Sequence, residues 1–404
     1  MHWLQNHWYR ITPLHLILIP ISLVFGVLVA FRRVLYRDRV LASNQLLLPV
    51  IVVGNISVGG TGKTPLTLAL AQQLIAHGWH PLIVSRGYKR TSHVPQHVDP
   101  GMNAQQAGDE PLLMARRNIC PVWVGKDRVA TARAALQAHP QCDVVLCDDG
   151  LQHYRLQRDV EIAVIDGERG LGNGWLLPAG PLREPVSRLL TVDAVVVNVQ
   201  ARSPHLNPLP QAGEEANDSL REFQFDGGDA ATSEKIVMEP LVKRLAIPLG
   251  NQKTVAKWLV IAIRLGCQKA PAKSLVMAGH PGQYAMHLDG AVFHNLLDPS
   301  LTAAASDFDK PGNHAVAGIG NPQRYFQHLT SLGISFTPHE FPDHHPYFAT
   351  DLDFADCDAI LMTEKDAVKC AEFADARYWV LRVDAHIDSG LNDLILRKLK
   401  SHGR

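Results

Sequence analysis

Lys63 and Thr64 close the segment Ser57-Val-Gly-Gly-Thr-Gly-Lys-Thr64, which follows the apolar run Ile51-Val-Val-Gly54. A lysine and a hydroxyl behind a glycine-rich turn are the residue types that hold a nucleoside triphosphate and its Mg²⁺. Backbone N–H groups of Ser57, Val58, Gly59, Gly60, Thr61 and Gly62 would cradle phosphate oxygens, and the next helix N-terminus would add positive partial charge. Lys63 would reach the β- and γ-phosphates, and the Thr64 hydroxyl would ligate the metal. The usual spacing places glycine five residues before Gly62, where this chain has Ser57. Serine can still make a tight turn there, with Gly59 and Gly60 supplying backbone freedom.

Four further clusters carry chemistry. The run Val144-Val-Leu-Cys-Asp-Asp149 ends an apolar strand in two carboxylates. A strand-end aspartate is where such an enzyme holds Mg²⁺; the spacing leaves Asp148 and Asp149 as alternatives. Gly108-Asp-Glu-Pro111 heads a helical run over Leu112–Ala115. Asp109 there is either a first-turn charge favouring the helix dipole or a group that orients an attacking hydroxyl. Pro178-Ala-Gly-Pro-Leu-Arg-Glu-Pro185 is a rigid loop that could turn Arg183 or Glu184 to the phosphates, and Arg86 in Ser85-Arg-Gly-Tyr88 is a phosphate candidate at another strand end. In Phe341-Pro-Asp-His-His-Pro-Tyr347, adjacent histidines lack the i, i+4 spacing of a helical zinc pair. A histidine paired to an aspartate can instead take a proton near neutral pH.

These groups need a scaffold, and the chain supplies one. Strands are expected at Ile51–Gly54, Leu82–Ser85, Val122–Val124, Val144–Cys147, Ile162–Ile165 and Ala194–Val199, with a helix over Pro65–His77. Near-continuous Val and Ile content suits strands buried on both faces of a parallel sheet. The expected fold is α/β, a doubly wound, mostly parallel P-loop sheet spanning residues 41–200. Ala315–Ile319, Ile334–Phe336, Ala359–Met362 and Trp379–Val383 make a second, smaller α/β domain within 281–404. An Asp289-Gly290 turn predicts a hairpin over Met286–Leu296 ahead of it. Residues 201–280 are proline- and glycine-punctuated and read as an insertion or a disordered segment, or else as part of a longer second domain. Thr363-Glu-Lys-Asp366 at a strand end suggests base contact by Lys365 and Asp366.

Residues 1–40 differ from the rest. Leu14 to Phe31 are eighteen residues with only His15 and Ser22 polar, enough helix to cross about 27 Å of hydrocarbon. Aromatics precede the run; Arg32, Arg33, Arg37 and Arg39 follow it, which puts the nucleotide loop on the cytoplasmic side. The same residues could form an anchor lying in the interface. Lysine plus arginine equal aspartate plus glutamate at 39 each, so overall charge does not point to nucleic acid. The six cysteines are scattered without metal-ligand spacing and suit buried reduced thiols.

Taken together and in order, the P-loop, Ser-Arg-Gly-Tyr88, Gly-Asp-Glu-Pro111, Asp-Asp-Gly-Leu-Gln-His153, Gly-Pro-Leu-Arg-Glu-Pro185, Ala-Gly-Ile-Gly-Asn-Pro322, Phe-Pro-Asp-His344 and Thr-Glu-Lys-Asp366 resemble the tetraacyldisaccharide 4′-kinase family of lipid A biosynthesis. The resemblance covers residues 1 to about 200 and about 280 to 395. It implies ATP and Mg²⁺ as cofactors and the 4′-hydroxyl of a tetraacylated glucosamine disaccharide 1-phosphate as acceptor, at the cytoplasmic face of the bacterial inner membrane. It assigns Lys63 and Thr64 to phosphate and metal, Asp148 and Asp149 to the metal region, and the pair Asp109–His344 to activation of the hydroxyl. His153 joins the catalytic set and Glu184 the metal set by the same match. The competing expectation is a membrane-tethered switch or assembly NTPase, which would release phosphate to water.

Overall fold

The computed structural model describes residues 7–9, 12–88, 90–199 and 282–401. The expected insertion at 201–280 lies outside them. Among the described residues nine strands form the larger sheet: β1 (Val50–Gly54), β2 (Pro81–Ser85), β3 (Gln96–His97), β4 (Val122–Val124), β5 (Val144–Asp148), β6 (Val160–Asp166), β7 (Ala194–Val199), β8 (Gln283–Asp289) and β15 (Asp384–Ile387). Their spatial order is β15-β8-β7-β6-β1-β5-β2-β4-β3, parallel except at the two edges. Every residue of β1, β2 and β5 is buried, as strands covered on both faces require. Helices α2 (Lys63–Ala76), α3 (Ala104–Ala107), α4 (Asp109–Arg116) and α5 (Arg128–Ala138) connect these strands.

The two faces have separate cores. Leu66, Leu70 and Leu74 of α2 and Leu112 of α4 pack on one face, and Leu151, Leu171, Leu182 and Ala132 on the other. Loops at the carboxyl ends of β1, β2, β4 and β5 therefore converge on one rim, where ligands bind in doubly wound sheets.

The smaller sheet has six strands in the order β10-β9-β14-β13-β11-β12: β9 (Val292–Asn295), β10 (Thr302–Ala304), β11 (Asn313–Ala317), β12 (Thr337–Glu340), β13 (Ala359–Thr363) and β14 (Tyr378–Leu381). It carries α6 (Pro322–Ser331) and α7 (Glu364–Cys370). The strand expected at Ile334–Phe336 starts later, at Thr337. Gly333 N–H bonds Thr330 O and Ile334 N–H bonds Leu329 O, so Ile334 is spent closing the C-terminus of α6.

The hairpin expected at Asp289-Gly290 does not form. β8 pairs with β7 and β15 in the larger sheet, while β9 pairs with β10 and β14 in the smaller one. Residues 283–295 are thus one antiparallel ribbon with 378–387 that crosses from sheet to sheet. Pairing runs from Leu288↔Ala385 to Phe293↔Leu381, so one side of the ribbon holds an extra residue, a bulge, at the crossing. A Cβ on Gly290 would lie 2.1 Å from Arg382 O, so the turn signal marks a close backbone approach. After the ribbon, α8 (Ser389–Lys400) buries Leu391, Ile395 and Leu399 in the core that holds Leu66 and Leu70. The range 281–404, expected as one linker and domain, is therefore shared between the sheets.

Helix α1 (His15–Arg37) lies along the larger unit. His15 Nε2 is 3.0 Å from Asn173 Nδ2, Ser22 Oγ donates to Leu176 O at 2.8 Å, and Tyr36 packs on Tyr154 with ring centroids 5.8 Å apart. The run's two polar members thus sit on one stripe and face the protein. Leu16, Ile17, Ile21, Val24, Val27, Leu28 and Phe31 are exposed. By length and composition α1 could cross a membrane.

Candidate active site

The P-loop follows from its neighbours. Gly62 has φ +92° at the turn into α2, and a Cβ there would come within 2.5 Å of Asn198 Nδ2. Asn198, at the end of β7, donates to Thr61 O at 3.1 Å, and Arg324 of α6 donates to Asn198 Oδ1 at 2.7 Å. The loop is therefore braced from both sheets. Ser57 takes no left-handed backbone; it forms a bridge with Leu182, and Val58 N–H bonds Pro181 O at 2.8 Å. A serine fits because the loop here runs extended beside residues 181–183, where glycine's freedom is not required.

Lys63 Nζ lies 3.5 Å from Asp149 Oδ1, and Arg183 Nη1 lies 3.5 Å from the same oxygen. Burial alone would raise the Asp149 pKa, but Lys63, Arg183 and Arg128 outweigh it and hold the carboxyl at about 2. Asp148 is fully buried, within 3.4 Å of the Thr67 and Ser85 hydroxyls, which donate to it. Burial, then the charges of Glu110 and Asp149, push its pKa up. Asp148, buried beside Asp149 and Glu110, is a carboxylate whose ionised form a divalent cation would stabilise. Asp148 and Asp149 with Thr64 of α2 thus fit Mg²⁺. Glu184 does not join them: its buried carboxylate accepts from Tyr154 OH and lies 3.4 Å from Arg188 Nε. Among the described residues no three His, Cys, Asp or Glu side chains form a ready metal cage.

Asp109 begins α4, after the N-cap Gly108, where its charge alone could favour the helix dipole. His344 Nδ1 is 2.8 Å from Asp109 Oδ2. Asp109 comes from the larger sheet's rim and His344 from the loop after β12, where it adopts φ +60° and its N–H bonds Gly318 O. Burial opposes ionisation of Asp109, but the His344 hydrogen bond and the charges of Lys369 and Lys365 prevail and lower its pKa. Lys365 Nζ stands 3.2 Å from His344 Nε2, 3.2 Å from Asp343 and 3.3 Å from Glu110. An ammonium only donates, so Nε2 is the acceptor and the ring hydrogen sits on Nδ1, directed at Asp109.

Base contact by Lys365 and Asp366 does not fit this arrangement. Lys365 serves the pair, and Asp366 is fully buried: Gly318 N–H and Thr363 Oγ1 reach one oxygen, Tyr347 OH and Lys369 the other. It holds the loop that places His344. His153 lies in the loop after β5. Its Nε2 is buried without a partner, and burial followed by the charge of Arg128 lowers its pKa to about 4.

Comparisons with known proteins identify the family. Residues 14–241 and 248–400 match the family described as tetraacyldisaccharide-1-P 4′-kinase. The chain belongs to that family. It is 43% identical over 399 residues to the tetraacyldisaccharide 4′-kinase of Azoarcus sp. (strain BH72), covering 99% of this chain and 96% of that one. The corresponding protein of Methylobacillus flagellatus is 40% identical, with 98% and 96% covered. A crystal structure of the "apo" form of LpxK from Aquifex aeolicus in complex with ATP superposes with a TM-score of 0.65 at 25% identity, over 96% of this chain and 99% of that one. The family match includes residues 201–241 and 248–280.

In this family member three site residues were not singled out from sequence. Arg128 Nη2 donates to Asp149 O at 3.2 Å from the first residue of α5, and Asn198 and Arg324 brace the P-loop. Asn198 had a visible signal, a lone amide in an apolar strand. Arg128 and Arg324 had none, since both depend on which strands become neighbours.

Proposed function

We propose that this chain is an ATP-dependent kinase that phosphorylates the 4′-hydroxyl of a tetraacylated glucosamine disaccharide 1-phosphate. The observation that carries this reading is the Asp109–His344 pair standing with the P-loop on the rim of the larger sheet. A switch NTPase needs no such pair; a kinase with an alcohol acceptor does. Lys63 and the loop N–H groups would hold the β- and γ-phosphates in place. Thr64 with Asp148 or Asp149 would hold Mg²⁺, which would supply charge neutralisation at the phosphoryl group. The Asp109 carboxylate, aligned by the Nδ1 hydrogen of His344, accepts the proton of the sugar hydroxyl as the new O–P bond forms and the bond from the γ-phosphorus to ADP breaks. Such proton transfer is worth about 10²–10⁴-fold.

Helix α1 suits an acylated acceptor. Its seven exposed apolar side chains, at roughly 1–2 kcal/mol each, supply on the order of 10 kcal/mol for burial in lipid. Crossing a bilayer would cost the His15 and Ser22 contacts with the body; lying in the interface keeps both. The helix therefore rests in the inner membrane surface, with the catalytic body on the cytoplasmic side, next to its substrate.

The test is γ-labelled ATP with detergent-dispersed disaccharide 1-phosphate, followed by separation of lipid from free phosphate. Label on the lipid is the expected result; label only in free phosphate would favour the switch reading.

A further inference from the structure

The two halves of the Asp109–His344 pair come from different sheets, so something must set the distance between them. Arg117 follows α4, at the opposite end from Asp109, and its side chain is 5% exposed. Its Nε lies 2.7 Å from Glu364 Oε1 and its Nη2 2.8 Å from Glu364 Oε2. Nη1 donates to Asp384 at 2.7 Å and Nη2 to Val383 O at 2.6 Å. One guanidinium thus ties α4 to the first residue of α7 and to the ribbon just where it crosses between sheets. Burial disfavours its charge, and Glu364 and Asp384 more than compensate, so its pKa is raised.

Each of these anchors leads to the pair. Residue 364 precedes Lys365, which faces His344 Nε2, and α4 packs on α7. Asp109 and Arg117 are eight residues apart, about 12 Å along the helix. Slack at the Arg117 end would therefore tilt Asp109 against His344, and a misplacement of about 1 Å can cost about 10²-fold in rate.

We infer that Arg117 is a positioning residue, a buried pin at the inter-sheet crossing that holds Asp109 and His344 in register. The inference rests on the phosphotransfer role of that pair. Lysine cannot reproduce the pin, because a point charge does not span a carboxylate and two further acceptors as a planar fork does. The ATP site is served by other contacts, through Asn198 and Arg324, and does not depend on it.

The test is a kinetic double-mutant cycle with γ-labelled ATP and the lipid acceptor, alongside ATP affinity by calorimetry. Arg117→Ala is expected to lower kcat about 10–100-fold in the parent enzyme, with the ATP Kd within about twofold. In a His344→Ala background the same substitution should cost less than about threefold, because there is no pair left to align. An equal loss in both backgrounds would identify a general structural role and overturn the inference, as would an unchanged kcat. If Arg117→Ala does not fold, Glu364→Gln, nearly isosteric, carries the same cycle with the same expected outcomes. The His344→Ala single variant is read first: an undiminished kcat there would overturn the pair itself, whereas a diminished one leaves Arg117 to be judged alone.

Discussion

His344 donates its Nδ1 hydrogen to Asp109 across 2.8 Å while Lys365 faces its other nitrogen at 3.2 Å. The imidazole is thus held from both sides, and the carboxylate is the group left to receive the acceptor's proton. Lys365→Met should release the ring and leave Glu110 and Asp343 without their shared cation. We expect kcat to fall about tenfold or more with ATP affinity nearly unchanged, as steady-state kinetics and calorimetry will report.

Gly62→Ala should strike the other half of the site. Its Cβ would stand 2.5 Å from Asn198 Nδ2 and 3.0 Å from Met286 Cε, at a backbone φ of +92°. The Asn198 brace on Thr61 must then move. ATP affinity is expected to weaken about tenfold or more, since strained backbone of this kind costs about 1–3 kcal/mol.

Helix α1 gives a prediction independent of catalysis. Replacing Ile21, Val24 and Leu28 by serine removes three exposed apolar side chains at roughly 1–1.5 kcal/mol each, about 10²–10³-fold in vesicle partition. Sedimentation with lipid vesicles measures this. Activity on detergent-dispersed acceptor should persist, because the contacts at His15 and Ser22 are untouched.

His153 predicts a stability slope. Its pKa is lowered from 6.5 to about 4, chiefly by burial and then by Arg128. Between those values the unfolded chain binds the proton and the folded chain does not, so stability falls as pH drops from 6.5 toward 4. Allowing for solvent screening, this amounts to about 1–2 kcal/mol. His153→Gln should flatten that part of the pH dependence of Tm.

Much of this was legible in the sequence. The strands of the larger sheet are runs of Val and Ile buried on both faces, and such runs declare themselves. The P-loop residues are contiguous, so their chemistry could be read off directly. Asp109 could not be separated from a helix-dipole charge, because its partner lies 235 residues away in another sheet. Glu184 fitted a metal role by motif alone, yet Tyr154 and Arg188 occupy its carboxylate. The Asp289-Gly290 signal was correct about a backbone irregularity and wrong about its product, since a bulge in a crossing ribbon and a hairpin turn use the same residues. Long-range pairing decides such cases.

The account stands most directly on Asp109 and His344 acting as one unit on a hydroxyl. Asp109→Asn, His344→Gln and the double variant should be compared in transfer to the lipid acceptor and in ATP binding. We predict that Asp109→Asn lowers kcat about 10²–10⁴-fold, that the double variant is no worse than Asp109→Asn alone, and that ATP affinity stays within about twofold throughout. Losses that multiply in the double variant, or that follow a loss of ATP binding, would contradict it.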